Sequence, residues 1–262
     1  MTLRMADGAQ TGSAASPTYD AIGVGYADKR HPDPRIASRI VEALGAAQRV
    51  LTVGAGAGSY EPVDRTVVAV DPSTAMMGQR SPEVGPPVRA VAERLPFRDD
   101  AFDAVMAMLT VHHWADRRAG YAELCRVAPL RVVFTYEPEV HNRQWIVEDY
   151  VPEIAQLDHR RPGFSAAEVA DGIGATDMVT VPIPWDCTDG FIMAYWRRPE
   201  AFLDPRVRRA TSGFSLIDQR AVERGLRRLE ADLASGAWAE RYGYLKDLDE
   251  LDTGLRLVVG RG

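Results

Sequence analysis

The sequence predicts an α/β protein built on a largely parallel sheet, and three observations carry that expectation. Short apolar strands alternate with helical stretches, the first strand runs straight into a glycine-rich loop, and the second ends in an acid. Such alternation feeds parallel strands whose helical crossovers cover both faces of the sheet. At 262 residues the chain suits one elaborated domain, or a domain with a cap.

The elements follow in order. Pro34 to Ala47 reads as a helix, with proline in its first turn, an apolar stripe of Ile36, Ile40, Val41 and Leu44, and Gly45 at its end. Arg49–Val53, Thr66–Val70, Pro87–Val91, Ala101–Met108 and Leu130–Thr135 read as five strands, rich in valine and other apolar residues. Asp116–Val127 has helical spacing at Tyr121, Leu124, Cys125 and Val127. Met178–Pro184 and Leu255–Gly260 supply two late strands. The roughly 70 residues between them are mostly helical in pattern and far exceed an ordinary connection, which marks an inserted cap.

Composition narrows the function classes. The chain is 46% apolar and 26% charged, the profile of a soluble globular protein. A net charge of −6 argues against a nucleic-acid surface. The arginines at 206, 208, 209, 224, 227 and 228 alternate with apolar residues and read as solvated helix faces. Two cysteines, Cys125 and Cys187, lie far apart with no CxxC pattern, so a reducing, cytoplasmic compartment is expected. No apolar run approaches the ~18 residues of a membrane span, and no membrane partner is expected.

The most informative stretch is Val50-Leu51-Thr52-Val53-Gly54-Ala55-Gly56-Ala57-Gly58. Glycines let the backbone turn sharply and let a ligand lie against it without interference from a Cβ. The strand from Thr66 then ends in Asp71, an acid placed to accept bonds from both ribose hydroxyls of an adenosine-type cofactor. NAD is one candidate. Its pyrophosphate wants G-x-G-x-x-G opening a long helix, yet the third glycine position here is Ser59, and Glu61 and Pro62 follow. S-adenosylmethionine (SAM) has no phosphate, and its positive sulfonium tolerates nearby acids.

The glycine loop, the Val70-Asp71-Pro72-Ser73 corner, Ala92-Glu93-Arg94-Leu95-Pro96-Phe97 and Phe102-Asp103-Ala104-Val105 resemble the class I SAM-dependent methyltransferases. More narrowly they resemble the branch of the ubiquinone and menaquinone C-methyltransferases, whose histidine-containing stretch is matched by Leu109-Thr110-Val111-His112-His113-Trp114. The resemblance covers residues 49 to 136. It implies a Rossmann-like fold with a seven-stranded, mostly parallel sheet, its last strand antiparallel, and helical cap insertions. It also implies SAM as cofactor and S-adenosylhomocysteine (SAH) as product. By the same resemblance Gly54 and Gly56 face the methionine part, Asp71 the ribose, Met76, Ala92 and Glu93 the adenine, and Leu109 and Thr110 the sulfonium, with Ala55 and Pro72 also binding the cofactor. Val91 stands where the family often has an aspartate, which passes the adenine amino contact to Glu93 or a carbonyl. Related enzymes use a segment like Tyr19–Tyr26 as a lid; Tyr26 and Arg30 are candidates there, Arg30 as a partner for the SAM carboxylate. The expected organisation is one structural domain: a disordered tail at 1–16, a core with its lid at 17–137, a helical insertion at 138–176, and the last strands at 177–262 with the cap at about 186–251.

Methyl transfer requires alignment of a nucleophile and management of its proton. His112 and His113 follow the fourth strand, at the carboxyl edge where α/β ligands bind, and Glu137 follows the fifth at the same edge. Any of the three could serve as base or orient one. A histidine base predicts turnover rising through a pKa near its reference value of about 6.5. Asp99, Asp100 and Asp103 precede the fourth strand, at the wrong edge for the site, and no metal is expected. Trp185, Phe191, Tyr195 and Trp196 could stack on a flat small-molecule substrate or form the core of the cap. The run from Tyr195 to Pro205 resembles bacterial natural-product methyltransferases, which favours C-methylation of an aromatic heterocycle such as an indole over O- or N-methylation. An NAD-dependent oxidoreductase and a non-catalytic SAM-binding protein are the alternatives.

Overall fold

The computed structural model describes residues 30–81 and 87–262. The expected tail, most of the lid and Tyr26 lie outside the described residues.

Seven strands form one sheet: β1 (Arg49–Val53), β2 (Thr66–Asp71), β3 (Val88–Arg89), β4 (Ala104–Met108), β5 (Leu130–Tyr136), β6 (Ala175–Thr180) and β9 (Leu255–Arg261), in the order β3-β2-β1-β4-β5-β9-β6. The β1–β2, β2–β3, β1–β4 and β4–β5 pairs are parallel. β9 runs antiparallel between β5 and β6, as the resemblance implies. β1, β4 and β5 are buried along nearly their whole length, which explains why they read as apolar runs and not as alternation.

Helix α1 (Pro34–Leu44) starts where Asp33 caps the Arg35 amide at 3.0 Å, buries Ile36, Ile40 and Leu44, and stops at Gly45, whose φ of +53° few other residues adopt. Asp103, at the amino end of β4, accepts from the Gln48 and Arg49 amides and pairs with the Arg49 guanidinium. It therefore fixes the start of β1, and Asp99 pairs with Arg126. Among the described residues no cluster of His, Cys, Asp or Glu could hold a metal ion, and no helix is long and apolar enough to cross a membrane.

The segment Met178–Pro184 differs from expectation. It splits into β6 and a separate strand, β7 (Ile183–Pro184), which pairs with β8 (Glu250–Leu251) in a two-stranded ribbon. Pro182 stands at the break, where it removes an amide from any continuous ladder. The ribbon closes the neck of the cap.

Within the cap, the longest helix runs Gln219–Ser235 from an Asp218 cap to Gly236, which is left-handed at φ +85°. Gly225 brings this helix against the 138–176 insertion so closely that an added Cβ would lie 2.1 Å from the Tyr150 carbonyl oxygen. Arg224 and Arg228 reach across the same contact, to Glu153 and to the Tyr150 ring. Trp145, Phe202 and Trp238 interlock edge to face, with ring centres 5.4 to 5.7 Å apart. Insertion and cap thus share one apolar cluster with the sheet.

Candidate functional site

The site begins where β1 and β2 end side by side. Val53 pairs with Val70, and the Gly54 and Ala55 amides both donate to the Val70 carbonyl, at 2.9 and 3.0 Å. Gly54 has φ +68°, and a Cβ there would fall 2.1 Å from Thr110 Oγ1; Gly56 has φ +51°, with Met76 Cε 3.2 Å from its notional Cβ. Conformation favours glycine at both positions, and at Gly54 the lack of space requires it as well. The Gly56 amide donates to Asp71 Oδ2 and the Ser73 amide to Asp71 Oδ1, each at 2.8 Å, so two backbone donors orient the carboxylate.

These residues line a cleft whose empty space, mouth included, is about 1180 Å³. Arg30, Gly54, Ala55, Gly56, Asp71, Pro72, Met76, Ala92, Leu109 and Thr110 all border it. Glu93 does not: its carboxylate accepts from the Ala115 and Asp116 amides, ahead of the helix Arg117–Val127. Between Gly54 and Thr66 the backbone makes only turns, so the glycine loop opens no helix of its own to receive a pyrophosphate. Glu61, expected to repel phosphate, is buried in a pair with Arg80 at 2.7 Å, and its charge is neutralised locally. The case against a dinucleotide therefore rests on the missing helix and not on that acid. A glycine cradle, an oriented acid and apolar side chains from Met76 and Ala92 suit an adenosine bearing an amino-acid tail.

Beyond β4, Leu109 adopts φ +51°, a strained conformation for a leucine, held by its amide donating to the Phe134 carbonyl at 2.7 Å. The turn sets Thr110 against Gly54 and places His112 and His113 in one tight helical turn, ring centres 3.9 Å apart. A second cavity of about 690 Å³ adjoins the first, and Arg30, Leu109, His113, Arg161 and Leu216 border both.

The second cavity holds polar groups that sequence reasoning missed. Tyr136 donates to Asp158 Oδ1 at 2.6 Å, Arg161 donates to the same oxygen at 3.1 Å and to the Tyr136 hydroxyl at 3.2 Å, and His141 lies alongside. Burial holds all three histidines below their ordinary pKa: His112 well below, with His113 and Arg161 adding to the effect, and His113 down to about 3, with Arg161 adding. His141 is also lowered by burial, against the opposing pull of Asp158. A limb of turnover near 6.5 is thus not what this geometry provides. Burial and then the Asp158 charge hold the Tyr136 hydroxyl protonated well above its usual value.

The remaining candidates are dispersed. Glu137 precedes the short helix Pro138–Asn142 and accepts from the Ala166 amide at 3.2 Å, not from a histidine. Phe191 borders the second cavity. Trp185 is 43% exposed and stacks on Arg197, outside both cavities. Trp196 is buried with its indole N–H on the Ile183 carbonyl, and Tyr195 packs on Phe202; both belong to the core of the cap. Asp189 had no signal in the sequence. It is buried, pairs with Arg30 at 2.6 Å and accepts from the Tyr60 hydroxyl at 2.9 Å, tying the glycine loop, the residues before α1 and the cap together. Arg30 thus faces a protein carboxylate.

Comparison with known proteins follows the same lines. Residues 51–129 match the family described as "Methyltransferase domain". The crystal structure of a protein from Anabaena variabilis, assigned as a methyltransferase of an antibiotic biosynthesis pathway, superposes with a TM-score of 0.81 at 30% identity, over 89% of this chain and 99% of that one. The uncharacterized methyltransferase YcgJ of Bacillus subtilis is 31% identical over 124 residues, 43% of this chain and 45% of that protein. Demethylmenaquinone methyltransferase of Mycobacterium bovis is 35% identical over 98 residues, 36% of this chain and 42% of that protein. The chain thus spans less than half the length of these curated relatives.

Proposed function

The chain belongs to the class I SAM-dependent methyltransferases, and from that premise we propose that it methylates a small aromatic or heterocyclic metabolite, at carbon in preference to oxygen or nitrogen. The observation that carries the reading is the pair of adjoining cavities with His113 on their shared wall. Gly54, Ala55 and Gly56 would hold the amino-acid part of SAM, Asp71 the ribose, Met76 and Ala92 the adenine, and Leu109 and Thr110 the wall beneath the sulfonium. SAM supplies an electrophilic methyl group on a positive sulfur. The second cavity then holds the acceptor.

The chain's own residues orient that acceptor and exclude water. Ile154, Leu157, Phe191 and Ile192 give an apolar surround suited to a flat ring. The Arg30–Asp189 pair closes one side. His113, with its pKa near 3, is neutral at physiological pH and is a weak proton acceptor. It contributes little to ionising a hydroxyl before attack. An electron-rich ring carbon needs no such step, since it attacks first and sheds its then strongly acidic proton afterwards to a weak acceptor such as neutral His113 or water, with orientation carrying more of the rate. Likeness over nearly the full length to a protein assigned to an antibiotic pathway supports a secondary-metabolite substrate.

The experiment is a calorimetric titration with SAH and NAD, followed by transfer of a ¹³C-methyl group from SAM to a panel of indoles, phenols and aromatic amines, with NMR of the product. SAH binding and a new carbon–carbon bond support the proposal. A methyl found on oxygen or nitrogen overturns the preference for carbon, and NAD binding without SAH binding overturns the whole.

A further inference from the structure

The Asp158–Arg161 pair has one open corner, and that corner is positive. Arg161 Nη1 is fully used, donating to Asp158 Oδ1 at 3.1 Å and to the Tyr136 hydroxyl at 3.2 Å. Arg161 Nε and Asp158 Oδ2 are both buried. Nη2 differs from them. Among the described residues it makes no hydrogen bond, yet it is not buried, so the 8% of the side chain that stays accessible includes a guanidinium nitrogen with its N–H groups unspent. Arg161 borders both cavities, and its charge reaches His112 and His113, helping to hold them neutral. Arg30 borders both cavities as well, while its partner Asp189 is 1% exposed and stands behind it, outside either lining. The wall that the two cavities share is therefore faced by guanidinium groups, with their carboxylate partners covered or already bonded.

Taking the second cavity as the acceptor pocket, as above, we propose that Arg161 Nη2 binds a single oxygen of the acceptor, so that the substrate is a phenol or an enol methylated at the carbon beside that oxygen. One open nitrogen suits one oxygen. A carboxylate would find only half of the usual fork, because Nη1 is spent and Nε is covered. The groups around such an oxygen favour its ionised form: Arg161 and Arg30 are cationic, His112, His113 and His141 are held neutral, Tyr136 keeps its proton, and Asp158 has Oδ2 buried and Oδ1 bonded to Tyr136 and Arg161. A positive charge beside a hydroxyl lowers its pKa, which releases the hydroxyl proton to solvent without a histidine base. The oxyanion then feeds electrons to the neighbouring carbon. The carbon–carbon bond forms as the methyl–sulfur bond breaks, sulfur keeps that electron pair, and the carbon's own proton leaves afterwards to water. An oxygen engaged by the guanidinium is held from attacking in the carbon's place, which accords with methylation at carbon in preference to oxygen.

The test uses the full chain saturated with SAH and three probes: 4-nitrophenol, whose ionised form absorbs visible light, 4-nitrotoluene, of the same shape without the oxygen, and 4-nitrobenzoate. Calorimetry should rank 4-nitrophenol about tenfold or more ahead of 4-nitrotoluene, the effect of one charged hydrogen bond, and ahead of 4-nitrobenzoate. The visible spectrum should show bound 4-nitrophenol ionising at a lower pH than the free probe. Arg161→Gln combined with Asp158→Asn removes both charges together, so that no carboxylate is left alone under cover. It should erase the advantage over 4-nitrotoluene and return the ionisation to that of the free probe or above it. Equal binding of 4-nitrophenol and 4-nitrotoluene, tighter binding of 4-nitrobenzoate, an ionisation unmoved or raised in the parent, or no probe binding at all overturns the inference, and these parent measurements decide it even if the variant does not fold. Loss of SAH affinity in a folded variant whose probe ranking is intact assigns Arg161 to the cofactor and overturns it too. Failure of SAH to bind the parent is a different result, which strikes the reading of the first cavity; the probes are then ranked on the chain alone.

Discussion

Lowering the pH from 7.5 to 5 should destabilise this protein through the histidines that line its cavities. A histidine whose pKa is depressed in the fold takes up its proton more readily in the unfolded chain. Its contribution to stability is therefore complete above about pH 6.5 and is lost as pH falls toward the folded value. For His113, lowered from 6.5 to about 3, each pH unit below 6.5 removes about 1.4 kcal/mol, hence at most about 2 kcal/mol by pH 5, less whatever solvent in the cavity relieves. His112 and His141 act in the same direction. The carboxylates that ion pairs hold low act in another window. Asp33 and Asp103, both lowered to about 2, keep their contribution above about 3.8 and lose it only as pH falls from there. The interval from 6.5 to 5 thus isolates the histidines. Urea unfolding at pH 7.5, 6.0 and 5.0 measures the loss, and His113→Asn, which cannot titrate, should flatten the profile by up to the same about 2 kcal/mol at pH 5. A parent profile flat across the interval, or an equal slope in the variant, would refute the claim that the site keeps its histidines neutral.

Three further outcomes follow. Gly54→Ala should abolish measurable SAH binding, because its Cβ would enter the Thr110 side chain; adding Thr110→Gly should restore part of the fold's stability but leave the backbone strain of φ +68°, on the order of 1 kcal/mol. Thermal melts of the two variants would show this, and no difference between them would move the clash elsewhere. Asp71→Ala should weaken SAH by about 1.5–3 kcal/mol in calorimetry and loosen the glycine loop, since the Gly56 amide loses its acceptor; unchanged affinity removes Asp71 from the site. Phe191→Ala should lower turnover more than it lowers SAH affinity, while Trp185→Ala, altering an exposed stack on Arg197, should leave turnover within about twofold; the reverse order would place the acceptor on the other face of the cap.

The cofactor half of the site was legible because it is local. A strand, three glycines and a strand-end acid sit within two neighbouring elements, and the register of β1 on β2 brings Gly54 and Asp71 together. Of the second cavity, His112, His113 and Phe191 were legible, but its polar groups were not, because they meet only in the folded chain. Tyr136 stands at a strand tip, Asp158 and Arg161 in a charged run of the insertion, and Asp189 in the cap. One signal was available: Asp158-His159-Arg160-Arg161 is the densest charge run of the insertion, and two of its four members turned inward. Aromatic content marked the cap as important, but composition does not say which rings a core consumes. Trp196 and Tyr195 went to the core and Trp185 to the surface. Pro182 was visible in the sequence and should have ended the predicted strand.

The contacts that join residues 30–35 to the cap have a consequence for how the molecule is made. Arg30 with Asp189, Asp33 with Thr188 and Arg35 with Asp186 bridge 159, 155 and 151 residues of sequence. Contacts so distant form late, after the entropy of closing a long loop has been overcome. A ribosome extruding this chain releases the glycine loop and its acid long before Asp189 exists to receive Arg30, so the nascent protein carries an open cradle through much of its synthesis. Any truncation short of residue 189 leaves a chain that contains the most recognisable motif of its family without the carboxylate that pairs with Arg30.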